Sequence, residues 1–274
     1  MFDINKFKNL NTKNTRYERQ HARMLSQKLE TKNIENTVEE ALANIKSQKH
    51  SFVIYGEPQC GKTEMMISLT AKLLDEGHRI IVILLNDNVP LLQQNLDRFI
   101  NSGIDPAPMD ISGILEENIG DKTWIIFCKK NIRDLERLID KLRNKSQKVV
   151  IDDEADFASP NAKGNKNKRT AINNAIYKLL DSNGIYIGVT ATPARLDMNN
   201  TFDNMAEDWI CFVPHENYVG KETFCPLDFK PNCVYPNFLP PTGDIPAYLR
   251  EALLSFFVNV AYINLFDTST RETK

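Results

Sequence analysis

The chain has 274 residues, 42% of them hydrophobic and 26% charged, with a formal net charge of −2. It is long enough for a substantial core, in one large domain or one domain with an appendage, and its balance is that of a soluble globular protein. The charge excludes a globally basic nucleic-acid binder of the histone kind but leaves room for a local basic surface.

The chain opens on "MFDINKFKNLNTKNTRYERQ", which has no apolar stretch and so reads as no signal peptide. Residues 1–50 are polar and charged, and are expected to form a helical segment. Its clearest helix is "NTVEEALANIK", with Thr37 as cap and Glu40 at the matching capping-box position. From Ser51 short apolar runs alternate with helical stretches. The runs are "SFVIY" (51–55), "RIIVILL" (79–85), "TWIIFC" (123–128), "KVVID" (148–152) and "IYIGVT" (185–190). None alternates apolar with polar, so both faces of each strand should be covered, as in a parallel sheet flanked by helices.

Between the runs, "KTEMMISLTAKLLDEG" puts Met66, Leu69 and Leu73 on one face and ends at Gly77. "NIRDLERLIDKLRNK" does the same with Ile132, Leu135, Leu138 and Leu142. Such alternation implies right-handed crossovers and an open, doubly wound α/β sheet over 51–198, with ligands beyond the carboxyl ends of its strands. No further sheet is expected after Thr190. Residues 199–274 read as an irregular extension rich in proline and aromatics that closes with a helix over about 246–266. The apolar part of that helix, "LLSFFVNVAYINLF", is interrupted by Asn259 and Asn264 and is too short for a bilayer, so it is expected to pack on a core and no membrane is expected.

The five cysteines, Cys60, Cys128, Cys211, Cys225 and Cys233, contain no CxxC pair. A disulfide framework is therefore not expected, and a reducing cytoplasm fits best. A zinc site from Cys225, Cys233 and His215 is the minor alternative.

Three motifs carry chemistry. "GEPQCGKT", Gly56–Glu57–Pro58–Gln59–Cys60–Gly61–Lys62–Thr63, matches GxxxxGK[ST] between a predicted strand and a predicted helix that continues with Glu64. Backbone N–H groups of such a loop wrap phosphate, and the helix N-terminus adds positive potential. Lys62 would reach the β- and γ-phosphates of a nucleoside triphosphate, and the Thr63 hydroxyl would ligate Mg²⁺. Cys60 is small filler in this loop rather than a nucleophile.

In "VVIDDEAD", Val149–Asp156, a strand runs into four carboxylates, a costly arrangement unless a cation or hydrogen bonds meet them. A magnesium-bound triphosphate supplies that field. Asp153 is then the metal-side acid at the strand end, and Glu154 is placed to orient and deprotonate the attacking water. Alternation points Asp152 opposite Asp153; an offset register with Asp152 on the metal is the alternative. The third motif, "GVTATPAR", ends the last run: Thr190, Ala191 and Thr192 stand beside the γ-phosphate side, with both hydroxyls able to bond Asp156.

Lys62–Thr63, then Asp153–Asp156, then Thr190–Pro193 in this order resembles the first RecA-like domain of superfamily-two DEAD-like helicases and translocases, over about Ser51–Arg195. A closer likeness, on "DDEAD", "TAINNAIYKLL", "GVTATP" and "YVG", is to the bacterial "Z-one" endonuclease-domain group linked to restriction and phage defence. The resemblance implies a P-loop ATPase that uses ATP and Mg²⁺ and is directed to nucleic acid, DNA being the expected kind rather than RNA. It implies a second RecA-like domain, in cis or in trans, to supply an arginine finger worth about 10³–10⁵ in rate. It also implies a nuclease or other defence-system partner, without identifying a nuclease centre. Since strands suffice for one such domain only, the chain reads as an abbreviated or truncated piece that hydrolyses ATP poorly alone.

Two further expectations rest on the resemblance. A glutamine that reads adenine is missing from "NIENTVEEA", leaving Gln20 and Gln27 as remote candidates. The loops after the second and third predicted strands should touch nucleic-acid backbone, through Asn86 and Asn88 and through Lys129 and Lys130. The loop "SPNAKGNKNKR", with Lys163, Lys166, Lys168 and Arg169, is a further candidate. Solvated charge is the competing reading of these lysines. Two functions are thus in play: a nucleic-acid motor, and a nucleotide-gated scaffold or interaction module without helicase activity. A small-molecule kinase shares the P-loop but leaves the second and third motifs unexplained.

Overall fold

The computed structural model describes residues 15–114, 119, 122–143, 145, 147–157, 170–192, 209–216, 218–220 and 245–271, with side chains of the last helix for 247–262. The chain divides into two compact units, Met1–Tyr218 and Val219–Lys274.

Helices α1 (Arg16–Ser26) and α2 (Lys32–Lys46) precede strand β1 (Ser51–Gly56). Then follow α3 (Lys62–Asp75), β2 (Ile80–Leu85), α4 (Val89–Asn101), β3 (Met109–Asp110), β4 (Trp124–Lys129), α5 (Ile132–Lys141) and β5 (Lys148–Asp153). The first unit closes with α6 (Ala171–Leu180), β6 (Ile185–Thr190) and β7 (Trp209–Phe212). Among the described residues these strands form one seven-stranded sheet in the order β3-β4-β2-β5-β6-β1-β7. All its pairings are parallel. The doubly wound α/β, RecA-like P-loop fold expected from the sequence is therefore the fold observed.

Strand parity sorts the side chains into two cores. Ile81, Ile83, Phe127, Val149 and Ile151 join Met24, Val38, Met66, Leu69 and Phe99 on the face covered by α1–α4. Val82, Leu84, Ile126 and Val150 join Leu135, Leu138, Ile176 and Leu179 under α5 and α6. Burial on both faces is why the strands carry no alternating pattern.

The structure departs from the sequence reading at several points. Thr37 is not a cap: α2 starts five residues earlier behind Thr31, and the Thr37 hydroxyl donates to the Asn33 carbonyl one turn back at 2.9 Å. The capping box is instead at Thr15 and Glu18, opening α1. The sheet does not end at Thr190, because β7 adds beside β1, and β3 pairs with β4 at the other edge. In the second unit, the final helix runs longer than expected, as α7 (Ile245–Arg271). Among its described side chains, Leu249, Leu253, Leu254, Phe256 and Phe257 are exposed. Among the described residues no helix is long and apolar enough to cross a membrane.

Candidate functional site

The P-loop joins β1 to α3 beyond the carboxyl end of the sheet. Gly61 caps α3 at φ +96, a conformation that disfavours any residue with a Cβ. A Cβ at Gly56 would meet Cys60 Sγ and Phe212 at 3.0 Å, so the loop passes close against β7. The Lys62 ammonium donates to the carbonyls of Gly56 at 3.0 Å and Glu57 at 2.7 Å. The Thr63 hydroxyl accepts from Arg98 of α4 at 3.3 Å, and Glu64 pairs with Arg23 of α1.

A cavity of about 840 Å³ opens above this loop. Of the sequence candidates, Pro58, Gln59, Gly61, Lys62, Thr63, Glu64, Asp153, Glu154, Asp156, Ala191 and Thr192 line it. Gly56, Glu57, Cys60, Thr190, Asn86, Asn88, Lys129 and Lys130 are not among its lining residues. Arg98 is, and the sequence reading missed it. Its signal was present: Leu91, Gln94, Asn95 and Arg98 recur at helical spacing and share one face of α4 toward the cavity.

β5 carries the acids to this cavity on one face only. Asp153 follows Val149 and Ile151 toward the P-loop side. Asp152 follows Val150 to the other side, fully buried, beside the Lys130 ammonium at 3.0 Å and accepting from the Tyr186 hydroxyl at 2.8 Å. The offset register is thereby excluded, since Asp152 points into the opposite core. Burial, then the neighbouring Glu154, pushes the Asp153 carboxyl up to about 6, against the pull of Lys130 and Lys62. Burial and then Asp152 raise the Tyr186 hydroxyl well above its usual range.

Glu154 sits at φ +52, in the left-handed region. Its N–H donates to Asp153 Oδ1 at 3.1 Å, and its carboxylate accepts from the Asn86 amide. Asp156 accepts from the Thr190 hydroxyl at 2.6 Å and from the Thr192 hydroxyl, tying the acidic turn to the end of β6.

The nucleic-acid candidates fare unequally. Lys130 must be withdrawn as a surface contact: it is 1% exposed and donates to the carbonyls of Asp153, Glu154 and Phe157. Lys129 forms ion pairs with Asp87 at 3.3 Å and Asp134 at 3.4 Å. Burial opposes its charge, but those two carboxylates outweigh it and hold the lysine above its usual range. Asn88 caps α4, accepting from Leu91 N–H at 3.0 Å. Lys163, Lys166, Lys168, Arg169, Arg195, Cys225 and Cys233 lie outside the described residues.

A second hollow, of about 260 Å³, lies on the α2 side of the P-loop. Leu29, Ile34, Cys60, Phe212 and Val213 give it apolar walls, with Asn33 and His215 among its polar lining. Gln20 and Gln27 line neither space. The Gln20 amide is committed to Ser102 O at 3.0 Å and to Arg23 at 2.9 Å, and Gln27 accepts from Arg23 at 3.2 Å. Burial pushes the Cys60 thiol up against the pull of Lys62, in keeping with filler rather than a nucleophile.

The donor set facing the main cavity suits a hard cation: a hydroxyl and a carboxylate, with room for water and phosphate oxygens. Among the described residues, no group of three or more His, Cys, Asp or Glu forms a metal cage. Mg²⁺ does not need one when phosphates complete its shell.

Residues 26–195, more than half of the chain, match the family described as "Type III restriction enzyme, res subunit". No curated protein matches the sequence. Among solved structures, the Sulfolobus solfataricus SWI2/SNF2 ATPase core in complex with dsDNA aligns at a TM-score of 0.41 and 16% identity, over 62% of this chain and 35% of that one. The Pyrococcus furiosus Hef helicase domain aligns at 0.41 and 15% identity, over 64% of this chain and 37% of that one. The chain thus spans little more than a third of the length of either.

Proposed function

Since the chain belongs to the family described as "Type III restriction enzyme, res subunit" and carries a helicase-like first RecA domain of superfamily two, we propose that it is an ATP-hydrolysing motor domain coupled to nucleic acid, DNA before RNA. The observation that carries this is the meeting of Lys62, Thr63, Asp153 and Glu154 on one cavity of about 840 Å³. In this reading Lys62 and the P-loop amides hold the triphosphate, with Arg98 as a further cation facing it. The Thr63 hydroxyl and the Asp153 carboxylate hold Mg²⁺, which when bound neutralises charge on the phosphates. Glu154 orients and deprotonates the attacking water, and Asp156 with Thr190 and Thr192 ties that turn to β6. The apolar hollow beside Cys60 is the space offered to the base, and ATP as the nucleotide follows from the family rather than from that lining.

A restriction or phage-defence setting, a nuclease partner and a cytoplasmic site of action belong to the same proposal. So do the likeness to the "Z-one" group and the status of the chain as a fragment awaiting a second RecA-like domain. In this proposal 1–50 is an N-terminal helical segment, 51–198 the motor domain, and 199–274 an extension that lends β7 to the motor's sheet.

One observation favours the nucleotide-gated scaffold as a second reading. Of the expected nucleic-acid contacts, Lys130 is buried, Lys129 is engaged by two carboxylates and Asn86 by Glu154. Turnover measured with and without single- or double-stranded DNA separates the two; turnover indifferent to any nucleic acid sinks the motor. For the site itself, Lys62→Ala is expected to abolish tight triphosphate binding, and Glu154→Gln to keep binding while stopping hydrolysis. Unchanged affinity in the first, or full turnover in the second, overturns the assignment.

A further inference from the structure

Lys130 is a buried cation that the chemistry above does not use. Its side chain is closed to solvent, as is that of Asp152, whose carboxylate lies 3.0 Å from the ammonium. The three N–H protons of an ammonium match in number the three carbonyls around it, Asp153 and Glu154 at 2.8 Å and Phe157 at 3.0 Å. All three belong to the acidic turn. Asp152 supplies the countercharge and is itself bonded by Tyr186 from β6.

The turn needs such a clamp. Glu154 at φ +52 is in a region that residues with a Cβ avoid, and such conformations persist only where the surroundings over-determine them. The bond from Phe157 N–H to the Glu154 carbonyl, at 2.9 Å, closes the turn from inside. Lys130 gathers the same carbonyl with two others from below. The clamp also has an outer end. The Lys130 N–H donates to Leu85 O at 2.7 Å, and the adjacent Lys129 and Asn131 both hold Asp87 of the loop after β2.

We propose that Lys130 is a positioning residue for Glu154: by gathering the carbonyls of Asp153, Glu154 and Phe157 it fixes the backbone pose from which Glu154 reaches the attacking water. This rests on the reading of Glu154 as the water-orienting group. Lys130 is closed to solvent and is not among the residues lining the cavity, so its loss should lower kcat and leave nucleotide binding almost unchanged.

The test compares the full chain with Lys130→Gln, Lys130→Gln/Asp152→Asn, Tyr186→Phe and Glu154→Gln, reading thermal midpoint, ATP affinity, KM and kcat. Lys130→Gln alone leaves Asp152 buried without its countercharge and should lose stability. The double variant removes both charges and should regain the midpoint, with kcat still down at least about tenfold and KM changed by less than about threefold. Tyr186→Phe loses the bond to Asp152 and leaves Lys130 on its three carbonyls, and should lower the midpoint with kcat retained. A double variant that regains stability and kcat together overturns the proposal, as does a Tyr186→Phe loss of kcat equal to that of Lys130→Gln. Failure of both Lys130 variants to fold also counts against it, because the lysine then serves the whole sheet rather than the turn. Full turnover in Glu154→Gln would overturn the reading of the site and this proposal with it, whereas failure of the Lys130 predictions alone leaves that reading standing.

Discussion

Asp153 stands where burial and the Glu154 carboxylate work against its own ionisation, which raises its carboxyl to about 6. A carboxyl raised in the folded state costs stability as it ionises. The cost is absent below the unfolded value near 3.8, grows as pH rises through about 6, and is full above it. Asp153→Asn removes that charge. Without added nucleotide the variant should therefore be more stable than the parent chain at pH 7.5, by up to about 3 kcal/mol, and indistinguishable from it near pH 3.5. Thermal midpoints across that range decide it; equal midpoints at pH 7.5 would mean the carboxylate is not strained. The same ionisation is needed for a metal, so Mg²⁺-dependent ATP affinity should fall as pH drops below about 6.

At this scale the sequence was readable where side-chain direction follows from parity. Alternation on β5 sent Asp152 and Asp153 to opposite faces, as found. It was unreadable at Lys130. Two adjacent lysines after a strand look alike on paper, and only the carbonyls of a turn 23 residues later distinguish the buried one from its partly exposed neighbour.

Among the elements, the five long strands were legible because each is an unbroken apolar run buried on both faces. β3, with two residues, and β7, with four, are too short to announce themselves. Thr37 misled for a different reason. The Thr-x-x-Glu spacing fits a capping box but also fits a helix interior, where a threonine hydroxyl bonds back to the preceding turn. A genuine cap elsewhere offers a clean test. Thr170 caps α6 by accepting from Asn173 N–H at 3.3 Å, so Thr170→Ala should cost about 1 kcal/mol, read in denaturant unfolding. Between elements, Phe99 of α4 meets Phe127 of β4 edge-on at 5.0 Å, both fully buried. Phe99→Ala should cost about 3–5 kcal/mol, and a loss under about 1 kcal/mol would show that the core collapses around the hole.

For the molecule as a whole, the proposed motor needs a cation from a second RecA-like domain across the cleft. The chain alone is then expected to turn ATP over slowly, and an added or fused second domain to raise kcat by about 10³–10⁵. A rise of less than tenfold in a properly assembled pair would point to Arg98 already serving that part in cis. Nucleic-acid affinity, measured against salt, should fall steeply if phosphate contacts carry it.

The place of β1 in the sheet has a consequence for how the protein is made. The strand that leads into the P-loop is hydrogen-bonded on one side to Ile185–Thr190 and on the other to Trp209–Phe212, both translated long after it. During synthesis it must wait with two bare edges, a state prone to mispairing with other chains. A message cut short before residue 185 would leave that strand without either neighbour. The phosphate loop is thus encoded early and can be completed only late.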